Sequence, residues 1–271
     1  MAIKISVITI SYNNRQGLEK TLRSVISQTF SDFEYIVIDG GSQDGSKELL
    51  EQYSDKITYW VSETDKGIYN AMNKGIAVAK GEYLIFVNSG DHFYNDSSLA
   101  DAVKYLSGED IIYGNLEVVA ENHTYIKKYP SELSLFYFYY ESLPHPSTFI
   151  RKDAFEKWGH YDENLKIVSD WKWFLIAICS HQASFRQIDT TVSTFYLDGI
   201  SAGAQSQDKI NGERDRTFTH HFPLVKDNLK ELLGLQNENR KLQNAEKKFN
   251  HLKKYRLVKL LHSLGLIKIP D

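Results

Sequence analysis

The sequence predicts an α/β fold built on a mostly parallel, Rossmann-like sheet, and three observations support this. Short apolar segments rich in β-branched residues alternate with helical segments through the first third of the chain. Each apolar segment stops at a polar or glycine-containing loop. The 271 residues are 42% hydrophobic and 25% charged, which is enough to build one substantial core. Alternating strands and helices imply right-handed βαβ units.

Four strands are predicted in the first half. They are 5–10, 33–38, 57–61 and 83–87. Leu18, Leu22 and Val25 recur at helical spacing and predict a helix after the first strand. Further helices are expected from Ser46 and across 71–79, so a helix follows each of the first three strands.

The pattern changes after Asp91. Strands are predicted at 110–114 and 124–129, and a helix at 170–180. The two prolines of the 144–146 segment impose an extended or turning backbone before 147–150. The small and polar residues of 201–206 predict a flexible loop that could act as a lid.

The predicted domain is 1–225, with a first half at 1–95 and a second half at 96–225, followed by a helical, basic extension at 226–271. Four apolar residues of the extension lie on an approximate heptad seam, namely Leu232, Leu235, Leu242 and Phe249. Its basic residues are Lys247, Lys248, Lys253, Lys254, Arg256 and Lys259. Three interpretations stay open: a helix packed on its own domain, a homo-oligomer contact and a membrane-surface helix.

Bulk properties exclude several classes. The net charge of −3 gives no overall attraction to nucleic acid. Cys179 is the single cysteine, so no internal disulfide forms, and its apolar surroundings favour packing over nucleophilic chemistry. The N-terminal sequence has no signal-peptide pattern, and no apolar stretch of about 18 residues occurs. We expect a cytoplasmic protein, or one peripheral on the inner face of the membrane.

Polar loops follow all four predicted strands, at 11–13, 39–42, 63–67 and 88–91. Ligands of open parallel sheets bind beyond the carboxyl ends of the strands, so these loops should converge on one site. Asp39 can accept from a nucleobase imide or ribose, and Tyr12 can offer its ring face. Asp65 and Gly67 lie where backbone must approach a nucleotide. Any one of these carboxylates could instead close a turn.

Asp91, preceded by Gly90, follows the fourth strand. A carboxylate there can bind a divalent cation, Mn²⁺ or Mg²⁺, together with phosphate oxygens and water.

Several motifs together resemble family 2 glycosyltransferases with the GT-A fold. They are 6–13, 27–34, 39–46, 65–75 and 81–83, and the resemblance covers about residues 3–200. It implies an inverting enzyme that makes β-linkages from UDP- or other nucleotide-activated sugars in one displacement. It makes 1–95 the nucleotide-sugar-binding half and 96–225 the acceptor half. Within the first half it makes Asp39 the base- or ribose-binding acid and Asp91 the last acid of a metal-binding motif. The predicted nucleotide-sugar-binding residues are Thr9, Tyr12, Asp39, Asp65, Gly67, Asn73 and Gly90.

One departure concerns the metal-binding motif. The family often has several acids here, whereas Asn88, Ser89 and Gly90 precede Asp91. Fewer carboxylates predict a weaker metal site that depends more on the diphosphate of the substrate.

The second half supplies the predicted catalytic base. Asp170 resembles the family's acid at the start of a helix that lines the acceptor site. The helix start alone is equally compatible with a capping role, and the resemblance favours the base. Trp171 is predicted as part of an acceptor-binding platform. His145 is predicted near the acceptor or diphosphate, with a structural histidine as the alternative.

The predicted function is transfer of a hexose or N-acetylhexosamine from a nucleotide sugar to a saccharide or lipid-linked oligosaccharide in polysaccharide biosynthesis. A catalytically silent nucleotide-sugar-binding homologue that acts as a scaffold is the alternative from another class. A nucleotidyltransferase or a Rossmann dehydrogenase is disfavoured because 11–14 is not a glycine-rich phosphate loop.

Overall fold

A computed structural model of the chain describes residues 3–197 and 204–252. Within these residues a nine-stranded sheet is flanked by helices. The strands are β1 Ile5–Ser11, β2 Phe33–Asp39, β3 Tyr59–Ser62, β4 Tyr83–Phe86, β5 His92–Phe93, β6 Ile111–Val119, β7 Thr124–Lys127, β8 Thr148–Arg151 and β9 Phe185–Tyr196. The helices are α1 Arg15–Ile26, α2 Ser46–Gln52, α3 Ile68–Val78, α4 Ser98–Ala102, α5 Leu135–Tyr140, α6 Lys152–Trp158, α7 Ser169–Cys179, α8 Ala204–His221 and α9 Pro223–Leu252. Short 3₁₀ turns lie at Val103–Tyr105 and His145–Ser147.

The first four strands form the predicted parallel sheet, in the order β3-β2-β1-β4. Ser11 pairs with Asp39, and Asp39 pairs with Ser62. The last residues of β1, β2 and β3 therefore lie side by side at one edge, as the βαβ pattern predicts. Leu18, Leu22 and Val25 of α1 are fully buried against this sheet, which confirms the helical spacing.

The second half of the sheet is mixed. β8 lies antiparallel between β4 and β6, whereas β6 and β9 are parallel. The sequence did not indicate β9 or α6. β9 carries many polar residues, and its inward side chains, among them Ile188 and Val192, are buried through pairing with β6, about 70 residues earlier in the chain. No local pattern reveals such a pairing.

Cys179 is the last residue of α7 and is partly buried. Burial raises the pKa of its thiol to about 11. The thiol is therefore protonated at neutral pH and behaves as a packing side chain.

The contacts of the chain define two units, residues 1–215 and 216–271. In the second unit, α9 is 30 residues long, and its Leu232, Leu235 and Leu242 are exposed. Lys253, Lys254, Arg256 and Lys259 of the predicted basic extension lie outside the described residues, as does 201–203 of the predicted lid. Ala204–Ser206 of that lid begin α8. None of the described helices is long and apolar enough to span a bilayer.

Glu34 is a buried carboxylate at the amino ends of β1 and β2, only 3% exposed. It accepts hydrogen bonds from Ser6 Oγ at 2.6 Å, from Gly81 N–H at 3.1 Å and from Lys80 N–H. Glu34→Ala removes the acceptor of Ser6 Oγ and Lys80 N–H, whereas Gly81 N–H still donates to Ser6 Oγ, so we expect a loss of about 2–4 kcal/mol in the free energy of unfolding. Urea denaturation measures it. Glu51→Ala, at an exposed site on α2, is the control, and equal midpoints for the two variants would contradict the prediction.

Candidate active site

Asp39 ends β2 and is fully buried. Its carboxylate accepts from Ser42 N–H at 2.9 Å, Ser42 Oγ at 2.5 Å and Ser62 Oγ at 2.6 Å. A carboxylate has about four lone-pair sites, so these bonds leave room for one further donor. The buried side chain of Asp39 is therefore held in one position at the carboxyl edge of the sheet.

The side chains of Tyr12 and Asp65 both lie close to Gly40, the residue that follows Asp39. A Cβ placed on Gly40 would lie 2.5 Å from Asp65 Oδ2 and 3.2 Å from Tyr12 Cδ2, so the missing side chain allows the approach. The Tyr12 ring is 65% exposed. Gly67, with φ +124°, donates its N–H to Asp65 Oδ1 at 2.8 Å and closes the loop after β3. The structure thus brings four predicted residues, Tyr12, Asp39, Asp65 and Gly67, to one edge.

Asn13 connects the loop after β1 to the loop after β2. It was not among the predicted site residues. Its N–H donates to Ser42 Oγ at 2.7 Å, and its Oδ1 accepts from Gln43 N–H at 2.9 Å. Its φ of +47° lies in the left-handed region, where asparagine is more common than most side chains. The Asn13-Asn14 pair, one residue beyond the end of a buried strand, is the sequence feature that could have indicated this turn.

Asp91 lies on the loop after β4, on the other side of β1. Ser89 N–H donates to Ile10 O at 3.0 Å, so this loop runs beside the end of β1. Thr21 Oγ1 of α1 donates to the backbone carbonyl of Asp91 at 2.6 Å and accepts from Gly90 N–H at 3.1 Å. Asp39 and Asp91 therefore flank β1 at the same edge of the sheet. The hydroxyl of Thr21 holds the backbone of Asp91 in place.

Among residues 3–197 and 204–252, no three His, Cys, Asp or Glu side chains are grouped to hold a metal ion. A cation at the partly exposed Asp91 would need most of its oxygen ligands from elsewhere. Diphosphate and water oxygens suit Mg²⁺ and Mn²⁺, so the arrangement fits a cation that arrives with its substrate.

Asp170 lies in the first turn of α7 and is partly exposed. Its Oδ1 accepts from the hydroxyl of Tyr69, on α3, at 3.0 Å. Burial, and then the neighbouring Asp170, raise the pKa of Tyr69 well above its ordinary value. The phenol is therefore protonated and donates. This bond links the second-half carboxylate to the helix that directly follows the 63–67 loop.

His145 and Trp171, the predicted acceptor contacts, are both buried. His145 is 8% exposed, stacks on Phe86 at 4.9 Å between ring centroids and shares a 2.9 Å hydrogen bond with Tyr161 Oη. Burial lowers the pKa of His145, so its ring is neutral at neutral pH. Trp171 is 1% exposed and donates Nε1–H to Phe138 O at 2.8 Å. Both rings therefore pack and hydrogen-bond inside the protein, and their contact with an acceptor stays a prediction.

Thr9 and Asn73, two predicted nucleotide-sugar-binding residues, have hydrogen-bond partners inside the protein. Thr9 is fully buried, and its hydroxyl donates to Val87 O at 2.7 Å, between β1 and the residue after β4. Asn73 Nδ2 donates to Tyr161 O and to Glu163 Oε1, each at 2.9 Å, and its Oδ1 accepts from Tyr161 N–H at 3.1 Å. Thr9 therefore supports the sheet, and Asn73 holds the loop that leads to Asp170.

The fold and the site together define a class. Acidic and aromatic loops at the carboxyl ends of a parallel sheet, with a carboxylate on a helix of the following half, form the architecture of a GT-A glycosyltransferase. The chain belongs to glycosyl transferase family 2, whose model matches residues 6–160. It is a glycosyltransferase.

Known proteins support this membership. An uncharacterized glycosyltransferase of Mycobacterium tuberculosis is 36% identical over 179 residues, which cover 64% of this chain and 68% of that protein. A PGL/p-HBAD biosynthesis glycosyltransferase of Mycobacterium bovis is 24% identical over 70% of this chain and 75% of its own.

Two solved structures share the fold. Residues 1–349 of S. aureus TarS, in complex with UDP-GlcNAc, match with a TM-score of 0.60 and 19% identity, over 82% of this chain and 73% of that one. The mannosyltransferase PcManGT from Pyrobaculum calidifontis, in complex with GDP-Man and Mn²⁺, matches with a TM-score of 0.57 and 14% identity, over 96% of this chain and 83% of that one.

Tyr69→Phe tests the bond to Asp170. Without the hydroxyl, the carboxylate loses the contact that fixes its Oδ1, and we expect turnover to fall about 10-fold, the value of one hydrogen bond to a charged group. Donor affinity should not change. Turnover is measured as nucleotide release, and affinity by calorimetry. Tyr59→Phe, at an exposed position on β3, is the matched control. Equal rates for the two variants would show that the bond does not matter for catalysis.

Proposed function

We propose that this glycosyltransferase acts with inversion and transfers a hexose or N-acetylhexosamine from a nucleotide sugar, with UDP as the preferred nucleotide. The proposed acceptor is a saccharide or a lipid-linked oligosaccharide of polysaccharide biosynthesis. The observation that carries the proposal is the 3.0 Å bond from Tyr69 to Asp170, which joins a second-half carboxylate to the half that bears the strand-end loops.

The donor is proposed to bind at the carboxyl edge of the parallel sheet. The exposed ring of Tyr12 offers a stacking face for the nucleobase. Asp39 accepts from the base or the ribose through its remaining lone-pair site. The Asp65–Gly67 turn exposes backbone to the nucleotide, and Gly90, with φ +108°, lets the loop before Asp91 approach the diphosphate.

Asp91 is the residue we propose to hold Mn²⁺ or Mg²⁺. When bound, the cation neutralises charge on the departing diphosphate. The proposal is supported by the position of Asp91 beside β1 and by the oxygen character of the site. PcManGT, of the same fold, has been solved with GDP-Man and Mn²⁺.

Asp170 is the proposed general base. It takes the proton of the acceptor hydroxyl as that oxygen forms a bond to the anomeric carbon of the sugar. The bond from this carbon to the diphosphate breaks on the opposite face, and the nucleoside diphosphate leaves with the electron pair. One displacement of this kind inverts the configuration at the anomeric carbon. Tyr69 keeps one oxygen of Asp170 occupied, so the other is available for the acceptor.

The substrate classes are supported by relatives. TarS is solved with UDP-GlcNAc, and the Mycobacterium bovis relative takes part in PGL/p-HBAD biosynthesis. We further propose that 1–225 is the transferase domain and 226–271 an appended extension. Its use as a homo-oligomer or membrane contact stays a prediction, as does a cytoplasmic or inner-face location.

A donor panel tests the function. Nucleotide release from UDP-GlcNAc, UDP-glucose, UDP-galactose and GDP-mannose is measured with and without Mn²⁺, with a lipid-linked disaccharide as acceptor. We expect release from at least one UDP sugar, stimulated by the metal. Donor binding without release from any of the four would instead favour the silent, scaffolding homologue. Release from GDP-mannose alone would overturn the choice of UDP.

A further inference from the structure

Glu213 of α8 is a buried carboxylate that contacts the start of α7. It is 5% exposed, although it lies on a helix whose side chains are mostly polar. Its Oε1 accepts from Lys166 N–H at 2.8 Å, and its Oε2 accepts from Ile167 N–H at 3.1 Å and Val168 N–H at 3.2 Å. One side chain thus binds three consecutive backbone donors immediately before the helix that carries Asp170.

These donors belong to the three residues that directly precede the first turn of α7. Val168 is the N-cap residue of α7, and its side chain makes no capping bond. Free N–H groups at a helix start favour a negative charge, which is usually supplied by a local side chain. Here Asp170 supplies one such charge from within the first turn, and Glu213, 45 positions after Val168, supplies a second from outside the segment.

The 161–168 loop before α7 is also held from its other side. Asn73 binds the backbone of Tyr161 in both directions, and the amide of Asn70 donates to Glu163 Oε2 at 2.9 Å. α3 therefore fixes the beginning of this loop, and Glu213 fixes its end. The position of Asp170 depends on both.

Arg214, the next residue, reinforces the contact. Its guanidinium lies 4.9 Å from the ring centroid of Trp171, and its Nη1 donates to Tyr140 O at 3.1 Å. Burial lowers the pKa of Arg214, and the carboxylate of Asp170 opposes this shift. Adjacent residues of α8 thus contact the 166–168 backbone, which leads to the proposed base, and the tryptophan that follows it.

We propose that Glu213 is a positioning residue for the transfer reaction, which holds Asp170 at the acceptor through the backbone of 166–168. This inference rests on the proposed function of Asp170 and adds a residue from outside the matched 6–160 region. Glu213 touches no reacting atom. Its effect on catalysis is therefore expected in turnover and not in donor binding.

The test compares Glu213→Gln and Glu213→Asp with Asp208→Asn, which removes a carboxylate from an exposed position of the same helix. Glu213→Gln keeps the size but loses the charge, and Glu213→Asp keeps the charge but is one methylene shorter. Each is expected to lower turnover by about 10- to 100-fold, the effect of a misplacement of about 1 Å. The donor dissociation constant should not change. Turnover is measured as nucleotide release from the UDP sugar that the panel selects.

Hydrogen exchange without substrate supplies the second measurement. Amides 166–168 should lose protection in both Glu213 variants and keep it in Asp208→Asn. Unchanged protection, or lost protection with wild-type turnover, would overturn the positioning role. Equal losses in turnover and donor affinity would do so too, because they indicate a general structural effect. A wild-type chain that binds donors but releases no nucleotide would instead overturn the proposed function, and the wild-type rate separates the two failures.

Discussion

Asp170→Asn is expected to reduce turnover by about 10²- to 10⁴-fold, the usual contribution of a positioned general base. Asparagine has nearly the same shape and can still accept the Tyr69 hydroxyl through its carbonyl oxygen. It cannot take a proton from the acceptor hydroxyl at neutral pH. Donor affinity should persist, because the strand-end loops that we propose to bind the nucleotide are unchanged. The loss should therefore appear in turnover and leave the donor dissociation constant as in the wild type.

The measurement combines nucleotide release with calorimetric titration of the preferred UDP sugar. Asp55→Asn, which removes an exposed carboxylate ahead of β3, is the matched control and should have wild-type turnover. A thermal melt of each variant establishes that α7 still folds, since Asp170 also lies in a first helical turn, where a negative charge is favourable. Weak donor binding together with normal turnover at saturation would contradict the role as base and indicate that Asp170 binds the donor.

The parallel half of the fold was predictable because its signals are local. β1 and β2 are buried on both faces and read as continuous apolar runs, and α1 follows with helical spacing. Parallel topology then requires that the loops after these strands share an edge. Asp39, Asp65 and Asp91 could therefore be grouped from the sequence, although they are up to 52 residues apart.

The second half was less predictable because distant residues determine it. β9 forms by pairing with β6, which lies far away in the chain. Glu213 binds the 166–168 backbone from a helix that begins after residue 203. The direction in which a side chain points could not be predicted from the sequence either. Thr9, Asn73, His145 and Trp171 lie in or beside motifs that bear the site, yet each makes its hydrogen bonds inside the protein. A motif identifies a neighbourhood, and packing determines which of its side chains face a ligand.

The proposed role of Asp91 in metal binding can be tested by removing its carboxylate. Asp91→Ala is expected to lower nucleotide release at a fixed, subsaturating Mn²⁺ concentration by about 100-fold, because a cation contributes several kcal/mol to the neutralisation of a leaving diphosphate. No cluster of three His, Cys, Asp or Glu side chains occurs among residues 3–197 and 204–252, so Asp91 is not one of several such protein ligands there. Higher Mn²⁺ should restore part of the rate, since the diphosphate still supplies oxygen ligands.

The experiment is a Mn²⁺ titration of nucleotide release for the wild type, Asp91→Ala and Asp91→Asn. Asp91→Asn retains an oxygen ligand without the charge and should require an intermediate metal concentration. Asp32→Ala, at an exposed position before β2 and at the opposite end of the sheet, is the control. If the wild type and Asp91→Ala have the same half-saturating Mn²⁺ concentration, Asp91 does not bind the cation. If a chelator leaves wild-type release unchanged, transfer needs no cation, and the charge of the diphosphate must then be neutralised by side chains or backbone N–H groups.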